Sequence, residues 1–167
     1  MSQTELYIES DGLHPIDIAE EVASLRDWDF DRLAEDQMVM AIEGLWRGYA
    51  LTLAWSARDE VLRLICSFDL DPPQDRRDAV HEVLNLVNAA CWDGGFTYLA
   101  RERQMVWRYG LVLGPDQMPV PDQVDLMVST AVKACERFYP SFQLVAWGGA
   151  DPRAALDIAL GETYGRA

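Results

Sequence analysis

Residues 85–113 read NLVNAACWDGGFTYLARERQMVWRYGLVL. The first part carries apolar residues at helical spacing and ends at Trp92 and two glycines. The second part holds two aromatic runs, 96–101 and 105–113, joined at the polar residues 101–104. Glycine after a helical pattern marks a helix end, and aromatic runs bounded by turn residues are typical of strands. The stretch therefore predicts a helix that leads directly into a pair of strands.

Upstream of this junction, alternation of large and small residues predicts four more strands. Large residues recur at every second position of 28–32, 38–42, 49–55 and 62–68. The intervening positions of the third strand are small or weakly polar, and Arg63 and Ile65 continue that side in the fourth. An antiparallel meander with one bulky face and one small, semi-polar face is expected.

Four helices complete the predicted order, which is α-β-β-β-β-α-β-β-α-α. The first begins at His14-Pro15, presents Ile18, Val22 and Leu25 on one apolar face, and stops near residue 27. The others cover about 75–91, 121 onward with a kink or end at Pro140, and 152–162. This order indicates a single α+β domain over 14–167, with helices packed on one face of an antiparallel sheet and a loose arm at 1–13.

The charge of the chain argues against nucleic acid as a partner. There are 28 acidic residues against 14 basic ones, a formal charge of -14, and Lys133 is the single lysine. Phosphate backbones are bound by clusters of lysine and arginine, so DNA or RNA binding is not expected. No apolar run reaches 18 residues and no secretory signal is visible, which predicts a cytoplasmic protein that does not enter a membrane.

Few residues offer chemistry. His81, Asn85 and Asn88 fall at helical spacing and form a polar stripe on the second helix. This stripe is either a small ligand-binding or catalytic site, with His81 moving a proton, or a half-buried row of structural hydrogen bonds. The three cysteines are expected in the core. No catalytic residue, metal site or cofactor is predicted from motif or spacing.

Aromatic and basic residues near the sheet suggest contact with another protein instead. Trp46 lies beside Arg47 and Gly48 at a predicted hairpin, where an exposed anchor is plausible. We predict Trp46, Tyr49, Arg63 and Arg108 as partner-contact residues. The alternative is that Arg63 and Arg108 only solvate the outer face. The small face is too apolar for a plain solvent surface, and it suits either a second copy of the chain or a peptide.

Several motifs together resemble the YbjN family. They are the early His14-Pro15 helix followed by Trp28, LTLAW at 51–55, NLVN at 85–88, WRYG at 107–110 and RFYPSF at 137–142, the last resembling the alphaproteobacterial branch. The resemblance spans about residues 14–165. It implies the fold of type III secretion chaperones, a homodimer and a sensory-transduction or stress-related regulator. It transfers no catalytic residues.

The predicted function is therefore a non-enzymatic, cytoplasmic protein-binding module, chaperone-like or regulatory, that acts as a homodimer and holds a protein segment. Some relatives carry a diacylglyceryl transferase label, but that reaction needs a lipid inside a membrane, which this sequence is not expected to reach. The alternative is a small-ligand sensor or enzyme that uses the polar stripe on the second helix.

Overall fold

A computed structural model describes residues 13–164, with side chains described to residue 161; residues 1–12 of the predicted N-terminal arm lie outside the described residues. The chain forms the elements α1 (Pro15–Leu25), β1 (Asp29–Ala34), β2 (Gln37–Glu43), β3 (Gly48–Ser56), β4 (Val61–Asp69), a 3-10 turn (Gln74–Arg76), α2 (Arg77–Ala89), β5 (Gly95–Leu99), β6 (Gln104–Val112), α3 (Pro121–Ala146) and α4 (Pro152–Tyr164).

The six strands form one antiparallel sheet in the order β1-β2-β3-β4-β6-β5. The hairpin β5-β6 adds to the meander through β6, which pairs with β4. The expected α+β class and the strand order along the chain are confirmed. No helix within residues 13–164 has the length and apolar character needed to cross a membrane.

The core lies between one face of the sheet and the helices. Helices α1, α2 and α3 contact the sheet, and α4 packs on α2 and α3. Large apolar side chains at alternate strand positions enter this layer, as the period of two requires. The largest fully buried ones on the strands are Tyr49, Leu51, Leu53, Leu62, Leu64, Met38, Met105 and Trp107.

Helix α1 begins where the sequence indicates, but it buries a different stripe. The backbone amide of His14 donates to Asp17 at 2.8 Å, and His14 Nδ1 accepts from Ile16, so both ends of a capping box are formed. Ile16 and Ala19 are fully buried, whereas Leu25 is 75% exposed. Leu25 follows Ile16 by nine residues, which is half a turn out of phase at 3.6 residues per turn. The expectation that Leu25 lies on the apolar face was wrong.

Helix α3 also departs from expectation. It runs without interruption for 26 residues, with Pro140 inside it. Of the two outcomes predicted at Pro140, a kink or an end, the end was therefore wrong, and residues 142–146 belong to the same helix. Two buried aromatic residues flank the proline, Phe138 and Phe142, and both rings pack against Phe96 of β5, so the helix contacts the sheet on each side of Pro140.

Candidate protein-binding face

The second face of the sheet, called the open face below, carries the strand side chains that point away from the helices. Its residues include Asp31, Val39, Ala41, Ala50, Thr52, Ala54, Arg63, Ile65, Ser67, Gly95, Thr97, Val106, Arg108 and Gly110. Most are exposed or half-exposed, and Ile65 is 39% exposed. The helices described in residues 13–164 cover the opposite face. A sheet with one face uncovered normally alternates apolar and polar residues, yet this face is mostly small and uncharged.

One cross-strand row organises the open face. Asp31 is paired with Val39, Val39 with Thr52, Thr52 with Ile65, Ile65 with Arg108, and Arg108 with Gly95. Neighbouring strands are about 4.8 Å apart, so the acidic and basic ends of the row, on β1 and β6, are about 19 Å apart. The row thus runs from a negative edge, over an uncharged middle, to a positive end.

A groove opens at the positive end of the row. It has a volume of about 420 Å³ and lies over β4, β6 and β5. Gly95 and Gly110 leave the space, because neither places a side chain between its neighbours. Ile65 contributes an apolar wall, and Arg63 and Arg108 flank the groove. The sequence signal for it was present: glycine inside a strand pattern often marks a close approach by another chain or ligand.

Both arginines are exposed, and Arg63 has a carboxylate partner. Arg63 forms an ion pair with Asp59, four residues earlier, and its side chain is 54% exposed. Exposed pairs of this kind contribute little, so the Arg63 guanidinium can exchange Asp59 for another carboxylate at small cost. Arg108 is also exposed. The predicted contact residues Arg63 and Arg108 therefore lie on neighbouring strands beside one groove.

Trp46 and Tyr49 lie away from that groove. Trp46 is in the β2-β3 hairpin, 52% exposed, and its indole Nε1 donates to the backbone carbonyl of Glu136 at 3.1 Å. Tyr49 is only 1% exposed and lies on the covered face against Phe68. Burial, and then the neighbouring Glu136 carboxylate, raises the pKa of the Tyr49 hydroxyl. Tyr49 is a core residue, so we correct its predicted assignment to a contact surface.

The polar stripe on α2 does not converge on one site. The Asn88 side chain accepts a hydrogen bond from the Phe96 amide at 2.7 Å and donates to the Phe96 carbonyl at 2.9 Å. His81 and Asn85 are exposed on the same helix, and the His81 ring lies 6.2 Å from that of Tyr98. Asn88 thus anchors the first strand residues of the hairpin to α2, which is the structural alternative considered for this stripe.

Comparison with known protein families adds a second line of evidence. A family model described as "Putative bacterial sensory transduction regulator" matches residues 15–144, which span α1 to the end region of α3. The chain belongs to the YbjN family. The YbjN match covers the whole sheet, including the open face. No curated protein and no solved structure gives a significant match. The likeness of this YbjN fold to type III secretion chaperones stays a prediction.

Proposed function

We propose that this YbjN protein is a non-enzymatic regulator in the cytoplasm that acts by binding a segment of another protein on its open face. The observation that carries the proposal is an uncovered sheet face whose central row is uncharged and whose groove is flanked by Arg63 and Arg108. The regulatory description of the family supports a protein partner.

The side chains that line the groove determine which kind of protein segment it can bind. An extended chain that lies over β4 and β6 would contact Ile65 with an apolar side chain, and carboxylates beside it would meet Arg63 and Arg108. Arginine forms paired hydrogen bonds with carboxylates, so it favours an acidic neighbour over a neutral one. The preferred segment is therefore extended, with one apolar residue next to Asp or Glu.

Site-specific photo-cross-linking in cells tests this proposal. A photoreactive phenylalanine analogue replaces Ile65 on the open face in one variant and Ile158 on α4 in the other. The two isoleucines are matched, because they are 39% and 51% exposed. The expected result is a defined heterologous adduct from position 65 that is absent from position 158. Equal adduct patterns from both positions, or adducts only from position 158, contradict the proposal.

A homodimer is the second candidate use of the same face, and the symmetry of the cross-strand row favours it. A two-fold axis placed along β3 brings Thr52 over Thr52 of a second copy, Val39 over Ile65, and Asp31 over Arg108. With such an axis every contact occurs twice, as in closed two-fold dimers. The small side chains of Ala50 and Ala54 allow the sheets to approach near the usual 10 Å.

Charge exchange tests the homodimer. Asp31→Arg and Arg108→Asp alone each place like charges opposite one another, and we expect each to shift the protein to monomer in light scattering. The double variant restores opposite charges and is expected to dimerise again. Asp157→Arg on α4 is the control for net charge and is expected to leave the dimer intact. A wild-type monomer at micromolar concentration, or a double variant that stays monomeric, contradicts this register.

A further inference from the structure

A second groove lies at the end of the sheet where β3 ends and β4 begins, and it shares no lining residue with the groove on the open face. Four chain segments line it: the start of α1, the β1-β2 turn, the end of β3 with the β3-β4 turn, and the segment between β6 and α3. Its volume is about 560 Å³. We call it the Trp55 groove.

Apolar side chains in the lining of the Trp55 groove are open to solvent. Leu13 is 65% exposed, Met118 is 36% exposed and Trp55 is half-buried. Trp55 continues the alternation of Leu51 and Leu53, which are fully buried, so the apolar layer of the core reaches the surface at this end of β3. An aromatic side chain with one uncovered face provides apolar area that a bound partner can bury.

Carboxylates surround these apolar side chains. Glu35, Glu60 and Asp116 line the groove, and its lining within residues 13–161 includes no lysine or arginine. In the same part of the chain, none of the three carboxylates forms an ion pair. His14 also lines the groove, but its Nδ1 accepts a hydrogen bond from the Ile16 amide and so carries no proton. The lining therefore has three formal negative charges.

Nearby basic residues do not offset this charge. Arg32 donates to the backbone carbonyl of Glu35, and its guanidinium pairs with Asp17 at 2.8 Å and with Glu20 at 3.1 Å. Arg58 lies in the β3-β4 turn but does not line the groove. Residues 1–12, which precede the groove in the chain, contain three acidic residues and no lysine or arginine. A side-chain cation for the groove must therefore come from another molecule.

Hydrogen bonds fix two of the carboxylates in place. The carbonyl of Glu60 accepts from the Leu113 amide at 2.9 Å, which ties the β3-β4 turn to the end of β6. Gln117 donates from its amide to the Gly114 carbonyl at 3.1 Å and accepts from the Gly114 amide at 3.0 Å, which closes the turn that holds Asp116. Groups on fixed turns lose little freedom when a partner binds.

We propose that the Trp55 groove binds a segment of a partner protein in which one large apolar side chain stands between two arginines or lysines. The apolar side chain would contact Trp55, Leu13 and Met118, and the flanking cations would meet the carboxylates. Charge complementarity identifies this partner, because guanidinium groups form paired hydrogen bonds with carboxylates. The arginines beside the open face favour an acidic segment instead, so this site is independent of the function proposed for that face.

Fluorescence anisotropy of a labelled peptide with the full chain tests the proposal. The probe peptide carries Arg-Leu-Arg between glycine-serine flanks. One control peptide has both arginines replaced by glutamate, and the other has the leucine replaced by alanine. We expect saturable binding of the probe with a Kd below about 0.5 mM, at least about tenfold weaker binding of the glutamate peptide, and about threefold weaker binding of the alanine peptide.

Variants that remove one charge locate the binding site. Asp116→Asn and Glu60→Asn suit their positions, because both residues have a positive φ, of 57° and 53°, and asparagine tolerates that conformation. Each is expected to weaken the probe peptide about threefold. Asp157→Asn on α4 is the matched control, since it removes the same charge from an exposed position outside the groove, and it is expected to leave the Kd unchanged. Urea unfolding verifies that the variants remain folded.

Four outcomes would overturn the proposal. They are no saturation up to about 2 mM, equal binding of the leucine and alanine peptides, equal binding of the arginine and glutamate peptides, and an Asp157→Asn effect as large as that of Asp116→Asn. The last result would indicate attraction to net charge alone. A dimer that Asp116→Asn converts to monomer in light scattering would assign the groove to a second copy of the chain, which also contradicts the proposal.

Discussion

The indole of Trp46 donates to the backbone carbonyl of Glu136 at 3.1 Å, and residue 140, four positions later, is proline. In a regular helix the amide of residue 140 would donate to that same carbonyl, but proline has no amide hydrogen. Trp46 thus supplies the donor that Pro140 lacks. This relationship explains how α3 continues through a proline, and it gives the exposed tryptophan a structural role.

A double-mutant cycle measures this compensation. Trp46→Phe keeps a ring at the hairpin but removes the donor, and we expect it to lower the free energy of unfolding by about 1 kcal/mol. In the Pro140→Ala background, the new amide donates to Glu136, and the same change should cost less than about 0.3 kcal/mol. Urea unfolding of all four proteins gives the coupling. Equal costs in both backgrounds would show that Trp46 acts only through packing.

Asn88 is expected to be the one residue of the α2 stripe on which stability depends. Asn88→Ala leaves both the amide and the carbonyl of Phe96 without partners in a half-buried position, which should cost about 2–3 kcal/mol. Asn85→Ala, on the exposed side of the same helix, should change the free energy of unfolding by less than about 0.5 kcal/mol. Thermal and urea unfolding compare the two. Similar losses for both would contradict a dominant role of the Phe96 hydrogen bonds, since alanine has a higher helix propensity than asparagine at either position.

The alternation of large and small residues was sufficient to predict β1 to β4, whereas β5 and β6 were predicted from their aromatic runs. Tyr49 illustrates where such reading fails. It alternates with Leu51 and Leu53, so the pattern itself puts it on the covered face, but it was grouped with Trp46 as an aromatic contact residue. Periodicity was the better guide, because burial of a whole strand face outweighs the preference of one polar atom.

A cleft between the loop after α2 and the middle of α3 shows what local sequence pattern cannot reveal. Trp92 and Lys133 are 41 positions apart in sequence, and they line one cleft only because α3 packs against the end of α2. No motif spacing encodes that packing. By contrast, Arg63 and Arg108 could be placed together, since strand alternation assigns both to one face before the register is known.

Gly94 and Gly95 are neighbours with opposite tolerance of a side chain. A Cβ at position 94 would lie 2.5 Å from Trp107 Cζ2 and 2.8 Å from the Arg108 carbonyl oxygen, so Gly94→Ala should cost about 1–3 kcal/mol. At position 95 the nearest atom is 3.4 Å away, an ordinary contact, and Gly95→Ala should be nearly neutral. Differential scanning calorimetry of the two variants checks the contrast. Equal changes in Tm would mean that the loop shifts to accommodate a side chain at position 94.

The three cysteines are expected to differ in reactivity in the folded protein. Cys66 and Cys135 are fully buried with their sulfur atoms 3.6 Å apart, and the Cys66 contact and burial raise the pKa of the Cys135 thiol. Cys91 is half-buried, and burial, reinforced by Asp93, raises the pKa of its thiol from 9.0 to about 11. Since only the thiolate reacts, iodoacetamide should modify Cys91 about a hundredfold more slowly than a free thiol at pH 8.

The pH dependence of Cys91 alkylation by iodoacetamide tests this prediction. The rate at Cys91 should keep rising through pH 10, where a thiol with a pKa of 9.0 has already levelled off. Because the pKa of Cys91 is higher in the folded protein, the unfolded chain loses this thiol proton at a lower pH. The neutral thiol therefore contributes its full stability below pH 9, and this contribution is lost between about pH 9 and 11. Cys91→Ala should lessen that loss. Mass spectrometry locates the modified residue, and early alkylation of Cys66 or Cys135 in the native protein would contradict their burial.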